Sequence, residues 1–219
     1  MLIEARELYR FFHSGDEEVK ALRGVNINVA EGELVALIGP SGSGKSTILL
    51  ILAGLDEPDG GEVLIDGQRI TRRSEQIKSQ IRSHAIGTML QANNLFDHLT
   101  IEQNIGFVQG IGGASNAAWT KELIEKLGIV SRQTARPAEL SGGERARASL
   151  AVAMARKPKI LILDEPTGEV DAEAEFTIID LLKNHCKRGG AVVVATHNMV
   201  LSKQATRVVP IQDGRILHG

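Results

Sequence analysis

Leu34-Val-Ala-Leu-Ile38 is an unbroken apolar run that ends on Gly39, and the next seven residues read Pro-Ser-Gly-Ser-Gly-Lys-Ser46. No other segment narrows the possible folds as much. An apolar run without polar alternation suits a strand covered on both faces, as in a parallel sheet packed between layers. Residues 39–46 match GxxxxGK[ST] in full, and Ile48 to Ala53 is then apolar enough for a helix lying on that sheet. Strand, glycine-rich turn and helix N-terminus in this order aim successive backbone N–H groups at phosphate oxygens, with Gly39, Gly42 and Gly44 permitting the bends. Lys45 is placed to reach the β- and γ-phosphates and the Ser46 hydroxyl to bind Mg²⁺. A tight turn that merely contained GKS would not need both flanking elements, so nucleotide binding with Mg²⁺ is the expectation.

Two further runs, Ile160-Leu-Ile-Leu163 and Ala191-Val-Val-Val-Ala195, repeat the non-alternating pattern, and each ends on a polar switch. In open α/β sheets ligands bind beyond the carboxyl ends of the strands, so Gly39, Asp164-Glu165 and Thr196-His197 are expected around one site. Two carboxylates after a buried strand are costly unless cations or donors compensate them. Asp164 is placed to hold Mg²⁺, and Glu165, directed elsewhere by strand alternation, is free to polarise an attacking water. His197 is placed to donate to the γ-phosphate or to orient that water. Gln91, after the alternation Ala85-Ile-Gly-Thr-Met-Leu90, is an amide that can touch both Mg²⁺ and water, although by chemistry alone it is an ordinary loop glutamine. His13, His84, His98, His185 and His218 carry no such positional argument.

The 219 residues suit one domain with an inserted unit. Its core is expected at about 1–91 and 158–219. A helical region at about 92–157 interrupts it, with helices at Thr100 to Gly110, Ser115 to Leu127 and Ser141 to Arg156, broken by Gly112-Gly113, Gly128 and Pro137. The N-terminal third, with Leu2 to Tyr9, Val19 to Val29 and Val63 to Ile70, reads as antiparallel strands. A formal charge of −2 gives no electrostatic reason to expect nucleic acid. One cysteine, Cys186, excludes an intrachain disulfide and a cysteine-rich metal site. The start MLIEAREL does not fit a secretory signal, and no apolar stretch reaches the roughly 18 residues of a membrane span. The chain is expected to be soluble and to meet a membrane only through a partner.

Leu140-Ser-Gly-Gly-Glu-Arg-Ala-Arg-Ala-Ser-Leu150 has a helix start in Ser141 as N-cap and Glu144 three residues on, yet places two glycines in the first turn. With GPSGSGKST at 39–47, Gln91, ILILDEPTGEVD at 160–171 and ATH at 195–197, LSGGE at 140–144 resembles the ATP-binding cassette (ABC) ATPases along essentially the whole chain. The resemblance implies an α/β fold: a P-loop NTPase with a RecA-like parallel-sheet core, an antiparallel β subdomain and an inserted helical subdomain. It extends the ATP-binding segment over Gly39, Pro40, Ser41, Gly42, Ser43, Gly44, Lys45, Ser46 and Thr47. Gln91 looks like the Q-loop residue, Asp171 the D-loop aspartate and His197 the switch histidine. Phe12 falls where the family stacks an aromatic on adenine, with Phe11 and Tyr9 as alternatives. In the family the signature loop binds the γ-phosphate of ATP held by the opposite subunit, which gives Ser141, Gly142 and Gly143 a role in a head-to-tail dimer.

AGLDEPDGGEV at 53–63, RPAELSGGE at 136–144 and DEPTGEVD are most similar to the LolD-, MacB- and FtsE-like cassettes. Members pair with an integral membrane permease bearing a large extracytoplasmic domain, at the cytoplasmic face of the inner membrane. The chain departs from the family pattern at Arg145, Ala146, Val152, Thr88-Met89-Leu90 and Glu169-Val170, none of which is a catalytic group. The implied activity is Mg-dependent ATP hydrolysis coupled to movement in the membrane subunit. The alternative, a soluble ABC ATPase acting on nucleic acid or ribosomes, normally brings a second cassette, a long coiled coil or a zinc insert. None of these occurs here, and intact Glu165 and His197 argue against a binding-only cassette.

Overall fold

The computed structural model describes residues 1–14, 17–90, 94–111, 113, 115–168 and 170–217. Gln91, given two roles above, lies outside the described residues.

The chain opens with a long antiparallel pair, β1 (Ile3–Ser14) and β2 (Glu17–Val29). It then enters β3 (Leu34–Ile38), the phosphate-loop segment and α1 (Lys45–Leu52). Next comes a hairpin, β4 (Gly60–Ile65) and β5 (Gln68–Arg69), which completes a four-stranded antiparallel sheet in the order β2-β1-β4-β5. The run Val63 to Ile70 is therefore not one strand. Asp66 and Gly67 both have positive φ, 49° and 76°, and reverse the chain in two residues, as an Asp-Gly hairpin turn does.

After α2 (Glu75–Ala85) the chain returns to the main sheet as β6 (Ile86–Met89). Helices α3 (Ile101–Gly110), α4 (Ala117–Lys126) and α5 (Gly142–Met154) come next, where helices are expected from the sequence. Then come β7 (Ile160–Asp164), α6 (Ala172–Lys187), β8 (Ala191–Ala195), α7 (Met199–Gln204), and the hairpin β9 (Arg207–Gln212) and β10 (Arg215–Ile216). The main sheet has the order β10-β9-β3-β8-β7-β6, parallel throughout except for β10.

Both faces of this sheet are buried, and successive residues serve opposite faces. Val35, Leu37, Ile160, Ile162 and Val193 pack with α1 and the antiparallel sheet. Leu34, Ala36, Leu161, Leu163, Val192 and Val194 pack against residues of α3 to α6. That is why the three strands read as apolar without alternation. In register, Asp164 of β7 lies beside Ala195 of β8, which lies beside Leu37 of β3. Three chain segments far apart in sequence thus end on one edge.

Candidate active site

The loop between β3 and α1 is shaped by positions only glycine can hold. At Gly39, φ is 156° and a Cβ would lie 2.0 Å from the Ile211 carbonyl oxygen; at Gly44, φ is 102° and a Cβ would lie 2.6 Å from that of Ala21. Gly44 is the N-cap of α1, and no side chain caps that helix. Its first N–H groups are left to another acceptor, and the helix dipole favours an anion there. Lys45 folds over the loop, with Nζ donating to the Gly39 and Pro40 carbonyls at 2.8 Å each. Ser43 is buried below, its carbonyl accepting the Gly214 amide at 3.1 Å.

Ser46 and Asp164 meet across the sheet, with Ser46 Oγ donating to Asp164 Oδ2 at 2.8 Å. Asp164 shares the face of Ile160 and Ile162, which is the α1 face, so strand parity directs its carboxylate at Ser46. The residue is only 7% exposed. Burial pushes its carboxyl above the usual range, the Ser46 hydroxyl partly offsets this, and the neighbouring Glu165 charge adds to the rise. Among the described residues the Ser46 hydroxyl is its hydrogen-bond donor and the Lys45 charge acts from nearby, and a buried carboxylate so placed fits a hard divalent cation.

Glu165 leaves the strand through a left-handed backbone, φ 49°, so this turn and not strand alternation alone separates the two carboxylates. Both of its oxygens are held by the residues after β8. Oε2 accepts the Thr196 hydroxyl at 3.0 Å, and Oε1 accepts the His197 amide at 3.0 Å and stands 2.7 Å from His197 Nδ1. An ionised Glu165 requires the proton on Nδ1, which leaves Nε2 as the outward atom of a ring whose side chain is 76% exposed. Thr196, fully buried, accepts the Asn198 amide at 3.0 Å. Asn198 in turn donates to Thr167 Oγ1 at 3.2 Å and to Glu175, tying this corner to the Asp164–Thr167 loop and α6.

These groups face one cavity of about 910 Å³, lined by the phosphate-loop residues except Ser43, by Asp164, Glu165 and His197, and on its other wall by β2 and Asp213-Gly214. The β2 wall and the Asp213-Gly214 turn were not singled out from sequence. Only the Asp-Gly pair, with φ of 48° and 72°, carried a local sign of its turn. A second cavity of about 880 Å³, between Trp119, Phe176 and Arg188, contains none of the sequence-selected residues.

Several expected residues stand away from the phosphate-loop cavity. Phe12 is 42% exposed with the Arg10 guanidinium 4.7 Å from its ring centroid, while its cross-strand partner Val19 lines the cavity. Asp171 caps α6, accepting the Ala174 amide at 2.8 Å. Ser141 caps α5 in a capping box: its Oγ accepts the Glu144 amide at 3.3 Å and its amide donates to Glu144 Oε2 at 2.9 Å. Gly142 and Gly143 begin α5 without positive φ, so backbone freedom does not account for glycine at either position.

The family described as ABC transporter matches residues 22–168. An uncharacterized ABC transporter ATP-binding protein of Thermotoga maritima is 38% identical over 98% of this chain and 93% of its own length. The lipoprotein-releasing system ATP-binding protein LolD of Geobacter metallireducens is 37% identical over 99% of this chain and 98% of its own. The macrolide export ATP-binding/permease protein MacB of Escherichia coli K12 is 34% identical over 99% of this chain, which spans only 34% of MacB. Among solved structures, the ATP-binding cassette MJ0796, as a dimer in a post-hydrolysis state bound to ADP and Pi, superposes with a TM-score of 0.94 at 31% identity, covering 99% of this chain and 97% of that one.

Proposed function

The chain belongs to the ABC transporter family, and from that membership we propose a Mg-dependent ATPase cycle run by the cavity between β2 and the parallel-sheet edge. It is an ATP-binding subunit of the kind found in LolD and MacB. The observation that carries the catalytic reading is the pairing of Glu165 with both Thr196 and His197 beside the Ser46–Asp164 contact.

Residues 39–47 hold the phosphates with backbone N–H groups, and Lys45 exchanges its loop carbonyls for β- and γ-phosphate oxygens. Ser46, Asp164 and Gln91 would hold Mg²⁺. When bound, Mg²⁺ would supply positive charge that offsets the phosphate charge. Glu165 accepts a hydrogen bond from the attacking water through the oxygen nearest it, while Thr196 and the His197 amide keep the carboxylate from rotating. His197 reaches the γ-phosphate from Nε2 as a donor when the ring carries a proton on each nitrogen, with Nδ1–H kept on Glu165. Phe12, with Phe11 and Tyr9 as alternatives, stacks on adenine.

The remaining site residues act in a dimer. Ser141, Gly142 and Gly143 meet the γ-phosphate of ATP held by a second copy, and Asp171 lies at the seam between subunits. Support comes from the dimeric form of the solved neighbours, one of which holds ADP and Pi. The helical region at about 92–157 passes closure to an integral membrane permease at the cytoplasmic face, and the likeness to LolD and MacB favours a permease with a large extracytoplasmic domain. The division into a core at 1–91 and 158–219 and this helical unit belongs to the same proposal. The test is Glu165→Gln, which should bind ATP with near-parental affinity, lose turnover by about a hundredfold or more, and accumulate as a dimer. Turnover at the parental rate would refute the base assignment.

A further inference from the structure

The N-terminal turn of α5 carries a conflict between its own cap and the ligand proposed for it. A carboxylate three residues into a helix stabilises the turn by accepting the N-cap amide. Glu144 does this with Oε2, 2.9 Å from the Ser141 amide nitrogen. The same negative charge, within one turn of Ser141, Gly142 and Gly143, opposes an incoming phosphate. It also competes for the Ser141 hydroxyl proton, the one donor on that side chain.

A third residue resolves the conflict. Arg132, in the 3₁₀ turn Val130–Arg132, donates from Nε to Glu144 Oε1 at 2.8 Å. The two carboxylate oxygens are thus divided, one to the helix cap and one to the guanidinium. Glu144 is 18% exposed in its side chain and Arg132 47%, so the pair sits at the surface with the carboxylate on its inner side. The carboxyl is pulled down to about 2, chiefly by Arg132 and then by the Ser141 amide, and stays ionised wherever an ATPase works. Arg145, next in the helix, is engaged elsewhere, its Nη2 donating to the Pro137 carbonyl at 2.9 Å.

We propose that Arg132 is a positioning residue for ATP-driven dimer closure: it neutralises Glu144 so that the Ser141 hydroxyl and the Gly142 and Gly143 amides are presented to a phosphate held by a second copy of the chain. This rests on the two-subunit reading given above. Without Arg132 the cap of α5 survives, because the Ser141–Glu144 contacts are local. What is lost is the balance of charge in front of it.

The experiment uses the full chain carrying Glu165→Gln, with dimer formation followed by light scattering as ATP-Mg²⁺ is raised and nucleotide binding to the single subunit measured with a fluorescent ATP analogue. Arg132→Ala should raise the ATP concentration at half-closure by about tenfold and leave single-subunit binding unchanged. Adding Glu144→Gln should bring half-closure back toward the parent, because the amide keeps an acceptor for the cap and removes the charge. Arg132→Lys, which keeps the charge, should stay near the parent. Parental half-closure in Arg132→Ala would overturn the proposal, as would a double variant no better than Arg132→Ala, which would mark the pair as scaffolding. If the Glu165→Gln parent itself fails to dimerise with ATP, the two-subunit reading falls, and the role of Arg132 with it.

Discussion

Glu165 and Asp164 are adjacent in the chain and opposite in circumstance. Asp164 is buried, raised by desolvation and met by one hydroxyl. Glu165 turns out through a left-handed residue into a ring of donors from Thr196 and His197. Two carboxylates in unlike surroundings can divide cation binding and proton handling between them. Thr196 is placed at the site by its position in the sequence but given no role there, since a threonine before a histidine has no chemistry of its own to advertise. Its hydroxyl is buried, donates to Glu165 and accepts from Asn198. Thr196→Val keeps the volume and removes both contacts. A hydrogen bond to a charged group contributes about 1.5–3 kcal/mol, so steady-state ATPase assays should show kcat lowered about tenfold or more. Thr196→Ser should retain most activity, and equal loss in both variants would assign the effect to packing.

At the scale of elements, helix starts hold several of the proposed site residues. Asp171 starts α6 and Ser141 starts α5, each by accepting an amide from the first turn; the sequence marks Ser141 as an N-cap, whereas Asp171 was selected through the family resemblance alone. A cap and a ligand contact draw on the same orphan N–H groups, so such residues serve local structure before any ligand arrives. The other end of α6 gives a pH prediction. His185 is half-buried, with Nε2 3.2 Å from the Lys159 carbonyl oxygen, and burial holds its pKa below the ordinary 6.5. A depressed histidine is neutral when folded and takes its proton first when unfolded, so its stabilising effect is full above pH 6.5 and declines as pH falls through that value toward the folded pKa. Urea midpoints measured from pH 7.5 down to 5.5 should fall in the parent and fall less in His185→Gln. Asp164, whose carboxyl is raised, acts with the opposite sign and equally in parent and variant, so the difference between the two isolates His185.

For the whole molecule, the phosphate-loop cavity and the signature turn are separate surfaces of one chain, since Ser141, Gly142 and Gly143 do not line the cavity that holds Lys45 and Glu165. On the two-subunit proposal a single copy carries two half-sites. Ser141→Arg should leave ATP binding by one subunit within about threefold of the parent while abolishing turnover and ATP-driven dimerisation. Loss of single-subunit binding in that variant would instead place the two surfaces in one site. Much of the parallel core was legible in advance. The runs at 34–38, 160–163 and 191–195 are buried on both faces, and that burial is what suppresses polar alternation. The β4–β5 hairpin was read as a single alternating run, Val63 to Ile70, although Asp66-Gly67 marks the turn. Helix α6 was not anticipated despite its Asp171 cap, acidic first turn and basic last turn, because motif chemistry had already claimed Asp171.

The sequence alone determined the strand-loop-helix at Gly39–Ser46, the capped start at Ser141, and the three polar switches after apolar runs. Each depends on neighbours within a few residues, where steric and hydrogen-bonding preferences act directly. Only the tertiary structure decided which groups meet: Ser46 with Asp164 across 118 residues of chain, Glu165 with His197 across 32, and Arg132 with Glu144 across 12. Such pairings depend on strand order, register and the angle at which helices return, and these are set by packing two faces of one sheet at once, which no local pattern encodes.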